Sequence, residues 1–119
     1  MATVALDLES FATTIENNDV VLVDFWADWC GPCRTFAPTF EAASEEFPDV
    51  VFGKVDTDDQ RDLAGGLEIM SIPTIMAFRA GYLVFREAGV LNKSQLKSVI
   101  EQVKGLDVEQ LKAQVAAGE

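Results

Sequence analysis

The sequence predicts an α/β domain built on a mixed five-stranded sheet with helices on both faces. Three observations carry that reading. The apolar run Val20 to Ala27, bounded by turn signals, reads as a buried central strand and hands over at Trp29-Cys30-Gly31-Pro32-Cys33 to a helical pattern. Short apolar segments elsewhere alternate with helix-period segments, the signature of β-helix-β units with right-handed crossovers. Thr74 to Arg79 and Tyr82 to Ala88 flank Ala80-Gly81, so they close as a hairpin and must run antiparallel.

Taken in order, Thr3 to Ala5 is short and β-compatible. Asp7 suits the cap of a helix whose Leu8, Phe11, Ala12 and Ile15 recur at helical spacing, and Asn17-Asn18-Asp19 ends it in a turn. Within the strand Val20 to Ala27 the only charge is Asp24. If it points into the core, desolvation raises its pKa; on a half-exposed strand it would simply face solvent. The next helix is predicted from Pro32 to Phe47, with Phe36, Ala37, Phe40, Ala43 and Phe47 near one stripe. Pro32 suits a first turn, whereas Pro38 removes an interior hydrogen bond and predicts a kink.

Val50 to Val55 reads as the following strand. The acidic stretch Asp56-Thr57-Asp58-Asp59 reads as a solvated loop, with Asp58 or Asp59 capping a short helix through Leu63 and Ala64 to Gly65-Gly66. It is not a calcium loop, because the sharp-turn glycine and distal glutamate of an EF-hand are out of register. Leu67 to Ile72 leads into Pro73 and the hairpin. Asn92 and Gln95 are spaced as a capping pair for a helix through Val103, with Leu96, Val99, Ile100 and Val103 toward the sheet. Asn92-Lys93-Ser94 also spells a glycosylation sequon, which carries no weight without a secretory leader. Gly105 breaks that helix. Asp107 suits the cap of a further short helix with Val108, Leu111, Val115 and Ala116 on one side, so residues 1–104 are read as the domain and 105–119 as a C-terminal extension.

The chain has two cysteines and no histidine, and both cysteines lie in the pentapeptide at the strand-to-helix junction. There, backbone N–H groups without helical acceptors and the positive end of the helix dipole favour a thiolate at Cys30. Cys33, one turn inward, is placed to attack a mixed disulfide formed on Cys30, which makes Cys30 the nucleophile and Cys33 the resolving thiol. A complete zinc site within the chain is excluded for want of two more sulfur or nitrogen ligands. A static staple is disfavoured, because so short a loop removes little chain entropy from a domain large enough to rely on its core.

The segment Val21-Leu22-Val23-Asp24-Phe25-Trp26-Ala27-Asp28-Trp29-Cys30-Gly31-Pro32-Cys33-Arg34 resembles the active-site segment of the thioredoxin family. The resemblance continues through Lys54-Val55-Asp56, Ser71-Ile72-Pro73-Thr74 and Gly89-Val90, from about Leu6 to Val103. It implies the thioredoxin fold and a protein-disulfide reductase working through a reversible Cys30–Cys33 couple. It further implies that Asp24 lies beneath Cys33 and handles its proton, that Lys54 neighbours Asp24, and that the Ile72-Pro73 bond is cis and faces the cysteines. The main chain of Ser71 and Ile72 would then be free to pair with an extended substrate. Trp29, Gly31, Pro32, Ile72, Pro73, Gly89 and Val90 would complete a shallow docking surface. No bound cofactor or metal is implied; reducing equivalents would come from NADPH through a flavin-containing thioredoxin reductase.

Composition bounds the alternatives. A chain of 119 residues, 49% apolar with eight phenylalanines and two tryptophans, is one domain able to fill a core, and a monomer is expected. Nine basic against 20 acidic residues give a formal charge of −11, which repels nucleic acid and anionic membrane. Met1 to Leu8 lacks a basic and then apolar leader pattern, so the cytoplasm is expected, where reduced thiols are available. Two rival functions remain: an oxidase or isomerase of the same fold, disfavoured by the Gly-Pro between the cysteines, and a redox-independent interaction module.

Overall fold

A computed structural model of the chain describes residues 2–118. The elements follow as β1 (Thr3–Ala5), α1 (Leu8–Asn17), β2 (Val20–Trp26), α2 (Gly31–Glu46), β3 (Val51–Asp56) and α3 (Arg61–Gly66), then β4 (Thr74–Arg79), β5 (Tyr82–Ala88), α4 (Lys93–Lys104) and α5 (Val108–Ala117). The five strands form one sheet in the order β1-β3-β2-β4-β5. β1, β3 and β2 are parallel, while β4 runs antiparallel to both β2 and β5. The mixed sheet and the hairpin agree with the sequence reading. At the hairpin tip Ala80 and Gly81 both take positive φ, 52° and 88°, the mirror-image turn that matches the twist of the flanking strands.

Alternation along β2 sorts the core into two layers. Val20 and Leu22 join Phe36 and Phe40 of α2 and Leu96, Ile100 and Val103 of α4 on one face. Val21, Val23 and Phe25 meet Phe11 and Ile15 of α1 and Leu63 of α3 on the other. Each fully buried phenylalanine contributes about 1.5–3 kcal/mol by leaving water, and Phe40 adds an edge contact to Phe52 at 5.2 Å between ring centroids. Helix α2 runs unbroken through Pro38.

One local expectation, the cap of α3, is corrected, and burial narrows two others. Leu8 and Ala12 are exposed, so only Phe11 and Ile15 carry the buried stripe of α1. The residue entering α3 is Gln60, with no side-chain cap, and neither Asp58 nor Asp59 takes that place. Instead Asp56 Oδ1 accepts from the N–H groups of Asp58 and Asp59, closing the loop on itself. Finally, no residue of α5 is buried; Val108 and Leu111 are half-buried, while Val115 and Ala116 face solvent. The other caps are as expected: Asp7 and Asn92 form capping boxes with Ser10 and Gln95, and Asp107 accepts from Gln110 N–H.

Candidate active site

Strand β2 ends at Trp26, and the chain turns through Ala27, Asp28 and Trp29 before α2 begins. Cys30 is the N-cap of α2, with extended backbone, and Pro32 sits in the first turn, where its missing N–H costs no helical bond. Cys30 and Cys33 are joined by a disulfide. The Cys33 N–H donates to Cys30 Sγ at 3.2 Å, so one of the orphan donors of the helix terminus is spent on that sulfur. Cys30 Sγ also lies 3.7 Å from the Ile72 carbonyl oxygen. Both cysteines are nearly enclosed, 4% and 3% exposed. For Cys30 this is tighter than an open nucleophile would suggest, because in the disulfide its sulfur is folded back against Cys33 and the Ile72 loop.

Asp24 is fully buried, on the sheet face that α2 covers, in register with Lys54 of β3 and Ile75 of β4. Neither carboxylate oxygen has a hydrogen-bond partner among the described residues. Burial pushes its pKa up to about 7, against the opposing pull of the Lys54 charge. Lys54 is thus Asp24's neighbour, as the resemblance implies, but its ammonium rests over the Trp26 ring, 5.1 Å from the centroid, rather than in an ion pair with the carboxylate.

Around the disulfide, the Ile72-Pro73 peptide bond is cis. Gly89 N–H donates to the Pro73 carbonyl at 2.8 Å, and Gly89 holds φ at +110°, a region that excludes most side chains. This bond brings the Gly89-Val90 segment to the proline loop, with Val90 43% exposed. The Ser71 carbonyl is not free as expected: it accepts from Thr74 Oγ1 at 2.5 Å. Among the described residues the Ile72 main chain has no backbone hydrogen-bond partner, its carbonyl only approaching Cys30 Sγ, so the edge left for pairing narrows to Ile72.

Trp29 is 68% exposed and lines an open groove with Thr57, Ile69, Met70, Ser71 and Ile72. Its indole Nε1 donates to Asp58 at 2.9 Å, and Thr57 binds the Trp26 carbonyl through both its N–H and its hydroxyl, at 2.8 and 3.0 Å. Sequence reasoning missed Asp58, Thr57 and Met70 as parts of this site. The acidic loop gave only a solvation signal, and nothing local marks that it folds back onto the tryptophan. Among the described residues no group of three or more Asp, Glu, His or Cys could hold a metal ion, and no helix is long and apolar enough to cross a membrane.

A C-x-x-C disulfide at a helix N-terminus, beside a cis-proline loop on a mixed sheet, defines a thiol-disulfide oxidoreductase. The thioredoxin family model matches residues 2–102, and the chain belongs to the thioredoxin family. It is 47% identical over 115 residues to putative thioredoxin 2 of Streptomyces coelicolor, covering 97% of this chain and 86% of that protein. Against thioredoxin of Mycoplasma pneumoniae the identity is 36%, covering 86% of this chain and all of that protein (100%). Among solved structures, a mutant thioredoxin from Halobacterium salinarum superposes with a TM-score of 0.82 at 32% identity, over 88% of this chain and 93% of that one.

Proposed function

We propose that the chain is a protein-disulfide reductase of cell redox homeostasis, acting as a monomer in the cytoplasm, with Cys30 and Cys33 as its reacting sulfurs. The observation that carries this reading is the placement of Cys30 at the N-cap of α2, where its sulfur accepts the Cys33 N–H. That donor, with the helix dipole, favours negative charge on sulfur in the dithiol form. The Cys30 thiolate attacks one sulfur of a substrate disulfide; a mixed S–S bond forms and the substrate's other sulfur leaves as thiolate. Cys33 then loses its proton to the Asp24 carboxylate and attacks Cys30, forming the internal disulfide and releasing the reduced substrate.

Asp24 suits this proton transfer because a pKa of about 7 lets it both take and return a proton near neutrality. Lys54 is the charge that keeps the ionised form accessible. Gly31 and Pro32 hold the geometry between the sulfurs. The near enclosure of Cys30 supports a role for the rim: a substrate must seat on Trp29, Ile72, Gly89 and Val90 to bring its disulfide in line, Pro73 itself being buried, and Ile72 offers main chain beside it. Residues 1–104 form the working domain and 105–119 an extension outside it. The internal disulfide is returned to dithiol by NADPH through a flavin-containing thioredoxin reductase, the partner implied by the family.

The test uses two variants on a disulfide-bonded protein substrate with an external dithiol as reductant. Cys33→Ser should accumulate a substrate-linked mixed disulfide on Cys30, visible on a non-reducing gel, and Cys30→Ser should lose turnover. Turnover retained by Cys30→Ser would overturn the assignment.

A further inference from the structure

Met70 is 91% exposed, the highest value among the exposed large apolar side chains of the described residues, and it stands in the same groove as Trp29 and Ile72. Met76, by contrast, is 1% exposed in the core. A thioether this open to solvent meets peroxide freely, and its oxidation turns a flexible apolar side chain into a polar one. We propose that Met70 is an oxidation site that regulates docking: its sulfoxide weakens the seating of protein substrates while leaving the exchange chemistry of Cys30 and Cys33 intact. This rests on the docking role assigned above to the rim around the disulfide.

The oxidant is hydrogen peroxide. The Met70 sulfur attacks one peroxide oxygen, the O–O bond breaks as the S–O bond forms, and the second oxygen leaves as water after proton transfer. Sulfur loses two electrons and the peroxide gains them. The disulfide form of the protein is the relevant target, because its cysteines are already oxidised and enclosed. The sulfoxide adds a strongly polar group to a groove whose apolar lining is otherwise Trp29, Ile69 and Ile72, and a docked partner shaped for a thioether would have to desolvate it, a cost that falls on protein substrates and not on a small disulfide reaching the sulfur directly.

The experiment treats the full chain in its disulfide form with hydrogen peroxide, locates added oxygen by peptide mass spectrometry, regenerates the dithiol, and compares kcat/KM on a protein disulfide and on a small aromatic disulfide. Oxygen should appear on Met70 before Met76 or Trp29. The protein-substrate rate should then fall about fivefold, the scale of losing one good interface contact, with the small-disulfide rate unchanged. Met70→Leu should give the same rates before and after treatment, whatever its starting value. Oxidation elsewhere first, an unchanged protein-substrate rate, or an equal fall on both substrates would each overturn the inference. Failure of the untreated protein to reduce either disulfide would instead overturn the reductase reading, and this inference with it.

Discussion

At Asp24, burial opposes ionisation, and the consequence can be followed in stability as well as in proton transfer. Its folded pKa, about 7, lies above the ordinary aspartate value of 3.8. The folded state therefore binds this proton more tightly than the unfolded chain. The resulting stabilisation is fully present below pH 3.8 and is lost as pH rises through about 7, on the order of 4 kcal/mol in all. Asp24→Ala should accordingly be more stable than the parent at pH 8, with the difference shrinking toward pH 4, as urea titrations of both disulfide forms would reveal. A difference that grows toward acid would refute the burial argument. The same variant should resolve mixed disulfides more slowly near neutral pH, read by stopped-flow release of the reduced substrate. Asp58→Ala, which removes the acceptor for the Trp29 indole, should lower kcat/KM on a protein disulfide about threefold to tenfold, within the usual range for one hydrogen bond of 0.5–1.5 kcal/mol, and should alter the tryptophan fluorescence of the folded protein.

Helix α4 shows what secondary structure contributes at the element scale. Its start is held by the Asn92–Gln95 capping box, and its end by Arg79, whose Nη1 donates to the carbonyls of Val103, Lys104 and Leu106 at 2.8–2.9 Å. The Arg79 Nε reaches Asp19 at 3.1 Å, so one half-buried guanidinium joins the edge of β4, the turn before β2 and the last turn of α4. Replacing Asn92 with alanine should cost about 1 kcal/mol. Arg79→Lys should cost more, roughly 1.5–3 kcal/mol, because a single ammonium cannot reach Asp19 and the carbonyls at the end of α4 together, as Nε and Nη1 of the guanidinium do. Chemical denaturation separates the two. Equal costs would mean that the fan of carbonyl bonds contributes nothing beyond a single charge.

Across the whole molecule, the sheet order places the two reacting sulfurs at the end of central strand β2, flanked by β3 carrying Lys54 and β4 following the cis-proline loop. Helix α5 lies outside that arrangement and buries no residue. A chain ending at Leu106, which keeps the carbonyl that Arg79 binds, should therefore retain its kcat on protein disulfides and lose less than about 1 kcal/mol of stability, the magnitude usual for surface changes. Loss of exchange activity on truncation would show that the extension reaches the site after all.

The two cysteines, their spacing and the apolar run before them determined the chemistry, because a thiolate-favouring helix start is a local property of sequence. The strands themselves and the hairpin were likewise legible, since periodicity and turn residues act over a few positions, whereas the order of the strands in the sheet was not. What only the tertiary structure decided is which distant groups meet that sulfur pair: Asp58 under the Trp29 indole, Lys54 over Trp26 rather than paired with Asp24, the Ser71 carbonyl taken by Thr74, and Met70 standing free at the rim. The first of these depends on a loop folding back over 29 residues of chain from Trp29 to Asp58, and no window of local pattern spans such a contact.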